Sequence, residues 1–491
     1  MRRLLLLASL LASLGAAAQT PLQQYVKRLQ QSGPLAEAAW GMVAIDREGR
    51  VLVSHNPTQR LVPASNLKLV TTGTALHAFG EQARFATELG YTGEIREDGV
   101  LEGDVYIIGH GDPTIGARDS IALKPDALFW KWKSLLKQAG IQKINGRIVG
   151  DGSSYEGQLE HPSWNYNDVG TYYGAGTSAL CFYQNAIDFA VQASSPGKPV
   201  SVRQSYPETP WLHFQNHSFT GPAGSGNSLY LYTTDLAPYA ELHGTFATDR
   251  KPKTEHFANK FGALTCAYYF WKNLCSTGWE VSGGYADIDR NGYIRPGTDF
   301  VPAQKAGKPV VVGATESAPL KDIVRITNVR SDNFYAEALL RAMGEEASQT
   351  AVYDSCLVAQ REVLEDLGLD PKGIRQVDGS GLSHMNYVSP QWMVDFLQAM
   401  RRSPAFGAFL GSLPKPGEGT LSSLLQGVQG RERVRIKSGS MDGVLCYSGY
   451  ILGTDGQPAV TLSILTNHST VPQAEVRAAL SRLLKLLLEE N

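Results

Sequence analysis

The sequence has little excess charge of either sign. Lysine and arginine number 45 and aspartate and glutamate 47 in 491 residues, which gives a net charge of −2. Such a balance creates no long-range field that would attract a nucleic acid, and no run of basic residues suggests attachment to a membrane surface. The composition is otherwise that of a globular protein, with 43% hydrophobic and 19% charged residues. We therefore expect neither a nucleic-acid partner nor a stable membrane anchor.

Cysteine is also scarce, and the five cysteines are scattered along the chain. They are Cys181, Cys266, Cys275, Cys356 and Cys446. Cys266 and Cys275 are nine residues apart on a predicted helix, which places them on opposite faces and beyond the reach of a disulfide. A chain of this length does not need disulfides for stability. The sequence therefore predicts buried thiols and no required bridge.

Several motifs for other chemistries are missing. The chain has no H-E-x-x-H pair for zinc and no G-x-S-x-G turn of ordinary esterases. Residues 287–294 match the first part of a calcium loop, but position twelve is Thr298 instead of the glutamate that closes such a site. Asn291-Gly292 is typical of a hairpin turn, which we favour here over calcium binding. We therefore expect no metal and no cofactor.

The N-terminus is typical of a secretory signal peptide. Arg2 and Arg3 precede an apolar run from Leu4 to Leu14, and Ala16-Ala17-Ala18 provides a cleavage site of small residues. The run is too short to cross a bilayer as a helix, and no cysteine follows it for lipid attachment. We predict that residues 1–18 are removed after Ala18 and that the mature protein is soluble and exported, to the periplasm or beyond.

Hydrophobic periodicity predicts an α+β protein with several domains. A hairpin at 40–54, a second one at 445–467 and a C-terminal helix at 472–490 indicate an antiparallel sheet with helices on its faces. A large, glycine-rich and mainly β region interrupts it. We predict that 19–83 and 312–491 form the main domain, that 84–193 and 255–311 form an inserted domain, and that 194–254 form a small β subdomain.

The stretch from Val62 to Thr72 contains the first candidate for catalysis. Ser65 and Lys68 are three residues apart at a predicted helix start, so both side chains project from one face. A serine hydroxyl becomes a nucleophile when a neighbouring base takes its proton, and a lysine becomes that base when burial disfavours its ammonium form. The spacing alone is weak, because Ser134 and Lys137 repeat it within an ordinary amphipathic helix.

Two further elements strengthen this interpretation. Ser331-Asp332-Asn333 precedes a predicted helix, where a serine or aspartate is ordinarily an N-cap. Lys437-Ser438-Gly439-Ser440 lies on the strand that begins at 434 and leads toward the C-terminal hairpin, with its predicted end at 437, where a solvated strand end is the ordinary interpretation. Each element is weak alone. Together they match, in order and local context, the S-x-x-K, S-D-N and K-T-G set of penicillin-interacting serine enzymes.

More of the chain agrees with one such family. From about residue 25 to the C-terminus it resembles the D-alanyl-D-alanine carboxypeptidase/endopeptidase family, the class C low-molecular-mass penicillin-binding proteins of peptidase family S13. Besides the three motifs, the similar stretches are 103–114, 164–168, 173–180, 333–337 and 378–383. The long insertion between the first two motifs is itself typical of this family. The sequence departs from it at Ser438, where threonine is usual, and at His384, where arginine is common.

The resemblance implies a fold like that of DD-peptidases and serine β-lactamases, and a catalytic role for five residues. Ser65 would attack a D-alanyl carbonyl and form an acyl-enzyme, with Lys68 as the base that removes its proton. Ser331 and Lys437 would relay protons or stabilise charge, and Asn333 would hold the substrate amide. Two ammonium groups close together would help to keep Lys68 neutral.

The resemblance also implies the groups that bind the substrate. Backbone N–H groups of Ser65 and Ser440 would form the oxyanion hole. The strand residues Ser438, Gly439 and Ser440 would receive the terminal carboxylate. Asp168 matches the family residue that contacts a diamino-acid side chain, although an aspartate before Tyr-Tyr-Gly is equally typical of a turn.

The partners implied are peptidoglycan stem peptides and, as covalent inhibitors, β-lactams; a homo-oligomer is compatible with the sequence. Two alternatives stay open. One is a β-lactamase or D-amino peptidase on the same scaffold, and the other is a non-catalytic peptidoglycan-binding protein.

Overall fold

The computed structural model describes residues 19–288, 293–295, 301–302 and 308–491. The predicted signal peptide and the predicted turn at 291–292 lie outside these residues. The strands in the described part of the chain are β1 Ala39–Asp46, β2 Val51–His55, β3 Ala86–Tyr91, β4 Glu94–Ile95, β5 Val100–Glu102, β6 Val105–Gly109, β7 Lys143–Ile144, β8 Ile148–Asp151, β9 Ala186–Gln192, β10 Ser201–Tyr206, β11 His213–Asn216, β12 Phe219–Gly221, β13 Tyr230–Thr233, β14 Tyr239–His243, β15 Thr245–Ala247, β16 Lys253–Ala258, β17 Tyr285–Ile288, β18 Tyr293–Arg295, β19 Val301–Pro302, β20 Val310–Glu316, β21 Val434–Met441, β22 Val444–Leu452 and β23 Pro458–Asn467.

The α-helices in the same residues are α1 Pro21–Gln31, α2 Lys68–Phe79, α3 Pro125–Gln138, α4 Tyr166–Val169, α5 Gly262–Ser276, α6 Leu320–Arg330, α7 Asn333–Ser348, α8 Tyr353–Asp366, α9 Pro390–Met400, α10 Phe406–Ser412 and α11 Gln473–Glu490. No helix in the described ranges is both long and apolar enough to cross a membrane.

A five-stranded antiparallel sheet forms the centre of the main domain. Its order is β2-β1-β23-β22-β21, and all of β22 is buried. Both faces are covered: α1 and α11 pack on one face, and α2 and α6 to α10 build the core on the other. The predicted antiparallel sheet flanked by helices is confirmed. Strand β21 extends to Met441, beyond the predicted strand at 434–437, and it lies at one end of the strand order.

The inserted region contains a seven-stranded mixed sheet. The order is β19-β18-β17-β8-β6-β3-β20, with parallel pairing of β8 to both β6 and β17. Apolar residues of α3 and α5, among them Trp132 and Phe270, pack against it. On α5 Cys266 is buried and Cys275 is exposed, which agrees with the predicted opposite faces, whereas the predicted burial of the thiols is wrong for Cys275.

A small sheet of order β4-β5-β7 adds Leu101 and Ile144 to the core of the seven-stranded sheet, and three further small sheets have the orders β10-β9-β16, β11-β14-β13 and β12-β15. A separate apolar core joins them, formed by Phe189 and Val191 of β9, Phe246 of β15 and Phe257 of β16. The division of the chain into domains stays a prediction. The predicted limits at 194 and 254 fall next to β9 and within β16, which pair with each other.

Candidate active site

The turn that carries Ser65 is held in an unusual backbone conformation. Ser65 lies in a 3-10 turn, Ala64–Leu67, and α2 begins directly after it at Lys68. Ala64 has a φ of 47°, a left-handed conformation that non-glycine residues rarely adopt and that is often found at functional sites. Residues 68–76 of α2 are all buried, so the turn is anchored at the top of a central helix.

Lys68 is fully buried and has three hydrogen-bond acceptors. Its Nζ lies 2.8 Å from Ser65 Oγ, 2.6 Å from Asn333 Oδ1 and 2.7 Å from the carbonyl oxygen of Ser380. Burial lowers the pKa of Lys68 to about 8, against the opposing charge of Glu337 and other carboxylates. A substantial neutral fraction therefore exists near neutral pH, and a neutral amine beside the hydroxyl is able to accept its proton.

Ser331 and Asn333 lie at the junction of two helices. Ser331 ends α6 with a φ of 59°, and α7 begins at Asn333. The side chain of Asp332 accepts a hydrogen bond from the backbone N–H of Tyr335 at 3.0 Å, so Asp332 is the N-cap. Because the cap is provided by the middle residue, the side chains of Ser331 and Asn333 remain available for the site.

Lys437 connects the edge strand β21 to this junction. Its Nζ donates to Ser331 Oγ at 2.9 Å and to the carbonyl oxygen of Ser438 at 2.6 Å. Burial and then the charge of Lys68 hold the pKa of Lys437 well below its usual range. Burial is the main cause of the lowered pKa of both lysines, and repulsion between the two ammonium groups adds to it.

Strand β21 passes close to the Ser65 turn at Gly439. A Cβ atom at this position would lie 2.4 Å from the carbonyl oxygen of Pro63 and 3.0 Å from the backbone nitrogen of Ser65. Only glycine allows this approach, which brings the backbone before Ser440 next to that of Ser65. Asn66 also links the Ser65 turn to β21. With its side-chain amide oriented toward this strand, its Nδ2 donates a hydrogen bond to the carbonyl oxygen of Lys437 at 2.6 Å.

The other predicted binding residues occupy different positions around the site. Ser440 is exposed on β21, whereas Ser438 is buried and its hydroxyl lies 2.7 Å from that of Thr420. Asp168, on α4, accepts a hydrogen bond from the hydroxyl of Tyr173 at 3.2 Å, and the carbonyl oxygen of Tyr173 accepts one from Asn333 Nδ2 at 3.0 Å. The structure therefore links Asp168 to Asn333 through Tyr173.

Sequence reasoning gave no role to Ser380, whose carbonyl oxygen accepts a hydrogen bond from Lys68, or to Glu337, which binds the backbone of Ser380. Glu337, on α7 and buried, accepts hydrogen bonds from the backbone N–H groups of Gly379 at 3.0 Å and Ser380 at 2.7 Å. Burial and the charge of Asp378 raise the pKa of Glu337 to about 7. The acceptor for Lys68 is a backbone carbonyl, which no sequence pattern identifies, although both segments lie in the stretches that carry the family resemblance.

Asp378 organises the same loop. Its carboxylate accepts hydrogen bonds from Gly381 N at 2.8 Å, from Ser383 N at 2.7 Å and from the indole of Trp164 at 2.9 Å. Gly381 has a φ of 80°, and a Cβ atom there would lie 2.0 Å from the carbonyl oxygen of Ala64. The loop is therefore packed against the Ser65 turn and joined to the inserted region.

A serine bonded to a buried lysine of lowered pKa has the chemistry of an acyl-transferring serine enzyme, and hydrogen bonds from Lys68 to Asn333 and from Lys437 to Ser331 bring together the three motifs of the penicillin-interacting enzymes. The model of the D-Ala-D-Ala carboxypeptidase 3 (S13) family matches residues 22–487. The chain belongs to this family and is a peptidase. Among the described residues, no group of three or more His, Cys, Asp or Glu side chains is arranged to hold a metal ion.

Similar proteins are found in several organisms. A D-alanyl-D-alanine carboxypeptidase of Actinomadura sp. (strain R39) is 29% identical over 475 residues, covering 94% of this chain and 84% of that protein. The D-alanyl-D-alanine carboxypeptidase DacB of Haemophilus influenzae is 23% identical over 440 residues, covering 86% and 84%.

The fold has a solved counterpart. The crystal structure of penicillin binding protein 4 (dacB) from Haemophilus influenzae superposes with a TM-score of 0.79 at 23% identity and covers 95% of this chain and 98% of that one. Family and fold together confirm the predicted resemblance and favour the peptidase over the β-lactamase and the non-catalytic binder.

Proposed function

We propose that the protein hydrolyses D-alanyl peptide bonds of peptidoglycan stem peptides through an acyl-enzyme on Ser65. One observation carries the proposal: a buried lysine whose pKa is lowered to about 8 lies 2.8 Å from the Ser65 hydroxyl. This contact supplies the base that a serine nucleophile needs. Family membership supplies the class of bond.

In the acylation step, neutral Lys68 takes the Ser65 proton as Oγ attacks the D-alanyl carbonyl. The negative charge that develops on the carbonyl oxygen is stabilised by the backbone N–H groups of Ser65 and Ser440, each donor contributing a few kcal/mol in such sites. The close approach of Gly439 to the nitrogen of Ser65 supports this assignment. A proton must then reach the departing amine, and the Ser331 hydroxyl, bonded to Lys437, is the group we assign to this transfer.

Substrate binding follows from the same geometry. The Asn333 amide is oriented because its oxygen accepts from Lys68 and its nitrogen donates to the Tyr173 carbonyl, and we assign it to the substrate amide. On strand β21, Ser438, Gly439 and Ser440 with Lys437 would receive the terminal carboxylate. We assign Asp168, bonded to the Tyr173 hydroxyl, to the recognition of a basic side chain of the acyl-donor peptide.

Water then attacks the acyl-enzyme and releases the shortened peptide. When the departing amine is free D-alanine, the reaction is a carboxypeptidase reaction, and when the amine belongs to a second peptide, a crosslink is cut. We propose that both reactions use this one site. The acyl-enzyme formed with a β-lactam would persist, which makes such drugs covalent inhibitors.

The cellular setting is part of the proposal. Peptidoglycan lies outside the cytoplasmic membrane, which agrees with the signal peptide predicted at 1–18 and with an exported enzyme that acts in the periplasm or an equivalent compartment. We further propose that 19–83 and 312–491 form the catalytic domain, and that 84–193, 255–311 and the small subdomain 194–254 are inserted into it. A measurement of its molecular mass in solution tests whether the enzyme forms a homo-oligomer.

Digestion of purified muropeptides tests the function. The wild type should release D-alanine or cut crosslinks, and the Ser65→Ala variant should do neither, because the nucleophile is absent. Ser134→Ala is the matched control, since Ser134 belongs to the second Ser-x-x-Lys spacing but its hydroxyl bonds only within α3. No product from the wild type would support a non-catalytic binder, and rapid turnover of a labelled β-lactam would support a β-lactamase.

A further inference from the structure

A cavity of about 380 Å³ adjoins the catalytic residues on the side of the inserted region. Ser331 and Asn333 line it together with Tyr172, His256 and Arg118. The cavity therefore lies directly beside Ser331 and Asn333, to which the proposed function gives roles in the reaction. Tyr173, whose hydroxyl bonds Asp168, also lines the cavity, whereas Asp168 itself does not.

Arg118 is fixed in this cavity by three contacts. Its guanidinium carbon lies 5.5 Å from the ring centre of Tyr172 and 5.6 Å from that of Tyr183, and its Nε donates to Gln184 Oε1 at 3.2 Å. Its two terminal nitrogens make no hydrogen bond or ion pair with any residue in the described ranges. A planar guanidinium held in this way presents two parallel N–H donors, the geometry that matches a carboxylate.

The segment that holds Arg118 is strained. Tyr183, Gln184 and Asn185 have φ values of 55°, 57° and 47°, three successive left-handed residues of which none is glycine. Such conformations are costly and persist where the surrounding structure imposes them, often at binding sites. Here they place the Tyr183 ring and the Gln184 amide on the same guanidinium.

The charges around the cavity favour an anion. Arg330 adds a second positive charge at the rim, and His256 is already paired with Asp188 at 2.6 Å. The one carboxylate in the lining, Asp332, has both oxygens occupied: they accept from the N–H of Tyr335 and from Gln184 Nε2 at 2.9 Å. Gln184 thus bridges Asp332 and Arg118 by hydrogen bonds to both, and the terminal N–H groups of Arg118 remain available to a ligand.

We infer that Arg118 binds a side-chain carboxylate of the acyl-donor peptide and makes the enzyme prefer peptides in which that carboxylate is free over those in which it is amidated. This inference rests on the proposed function, because the cavity adjoins Ser331 and Asn333. The neutral amide lacks the charge and one of the two acceptor oxygens, so it forms the weaker contact.

The test compares pairs of synthetic D-alanyl-D-alanine peptides that differ only in a free carboxylate or a carboxamide, placed on the first or the second residue before the D-alanyl pair. The measured quantity is the ratio of kcat/KM within each pair. Since the ratio is taken for one enzyme preparation, changes in folded fraction or in the chemistry of Ser65 cancel. Wild type should prefer the carboxylate by about tenfold or more in at least one pair.

The Arg118→Gln variant should reduce this preference to within about twofold, and Arg118→Lys should give an intermediate ratio because it keeps the charge but not the fork. Arg203→Gln, an exposed arginine on β10, should keep the wild-type ratio. An equal rate with both peptides in the wild type, or an unchanged ratio in Arg118→Gln and Arg118→Lys, would overturn the inference. Labelling of Ser65 by a β-lactam in the wild type separates these outcomes from failure of the proposed function.

Discussion

Replacing Glu337 by glutamine should lower the pH at which Ser65 becomes reactive. The Glu337 carboxylate accepts from Ser380 N at 2.7 Å, and the carbonyl oxygen of the same residue accepts from Lys68 Nζ at 2.7 Å. One residue's backbone therefore separates the negative charge from the ammonium group. With a pKa of about 7, Glu337 is largely ionised at the pH where Lys68 loses its proton, near 8.

The expected size follows from this separation. Two unit charges roughly 6 Å apart interact by about 3 kcal/mol at an effective dielectric constant of about 20, which corresponds to about two pKa units. Relaxation of the loop and the nearby charge of Asp378 reduce the effect, so we expect a shift of about one unit. In the wild type about a tenth of Lys68 is neutral at pH 7, and in Glu337→Gln about half would be.

The assay is the second-order rate constant for acylation by a labelled penicillin, measured between about pH 6 and pH 10. The midpoint of this pH–rate curve should move down by about one pH unit in Glu337→Gln. The plateau rate at high pH reports the positioning of Lys68, and it should fall because the new amide points an N–H donor at a backbone N–H. Glu346→Gln, an exposed position on the same helix, is the control. An unchanged or higher midpoint in a folded variant would refute the reasoning.

The pH dependence of the free energy of unfolding tests the pKa of Glu337 independently. Burial raises the pKa of Glu337 from 4.5 to about 7, so the folded protein holds a proton that the unfolded chain releases between these values. The stabilisation is complete below about pH 4.5 and is lost as the pH rises through 7, by roughly 3 kcal/mol. Urea unfolding of Glu337→Gln should lack this loss.

Two further predictions concern packing. Gly439→Ala should reduce the rate of acylation by about a hundredfold or more, because its Cβ atom would lie 2.4 Å from a backbone carbonyl oxygen beside Ser65 and would displace a proposed oxyanion donor. The control Gly407→Ala, which has open space around its Cβ atom, should be acylated at the normal rate. A fully active Gly439→Ala variant would contradict this geometry. Lys260→Met should cost about 3 kcal/mol in urea unfolding, since the buried ammonium bonds two carbonyls and a carboxylate. The matched variant Lys272→Met, at an exposed ion pair, should lower the free energy of unfolding by less than about 1 kcal/mol. An equal decrease in the two variants would show that burial of the ammonium group is unimportant.

Local patterns in the sequence were sufficient for the elements that carry the chemistry. The spacing of Ser65 and Lys68 at a helix start, the cap-like Ser331-Asp332-Asn333 and the strand before Lys437 are all short-range features, and each has the predicted local structure. Hydrophobic periodicity likewise predicted the two hairpins of the main sheet and its C-terminal helix, because the spacing of apolar residues reports which face of an element is buried.

Tertiary structure alone decided how these elements meet. Lys68 and Asn333 are 265 residues apart in the chain but 2.6 Å apart in space, and periodicity shows that a face is buried without showing what covers it. The Ser380 carbonyl, the Glu337 carboxylate behind it and the Tyr173 carbonyl that orients Asn333 act through backbone groups, which every residue possesses and no sequence pattern marks. The lowered pKa of Lys68 and the carboxylate site that we infer at Arg118 arise from burial and from neighbouring groups that come together only once the chain has folded.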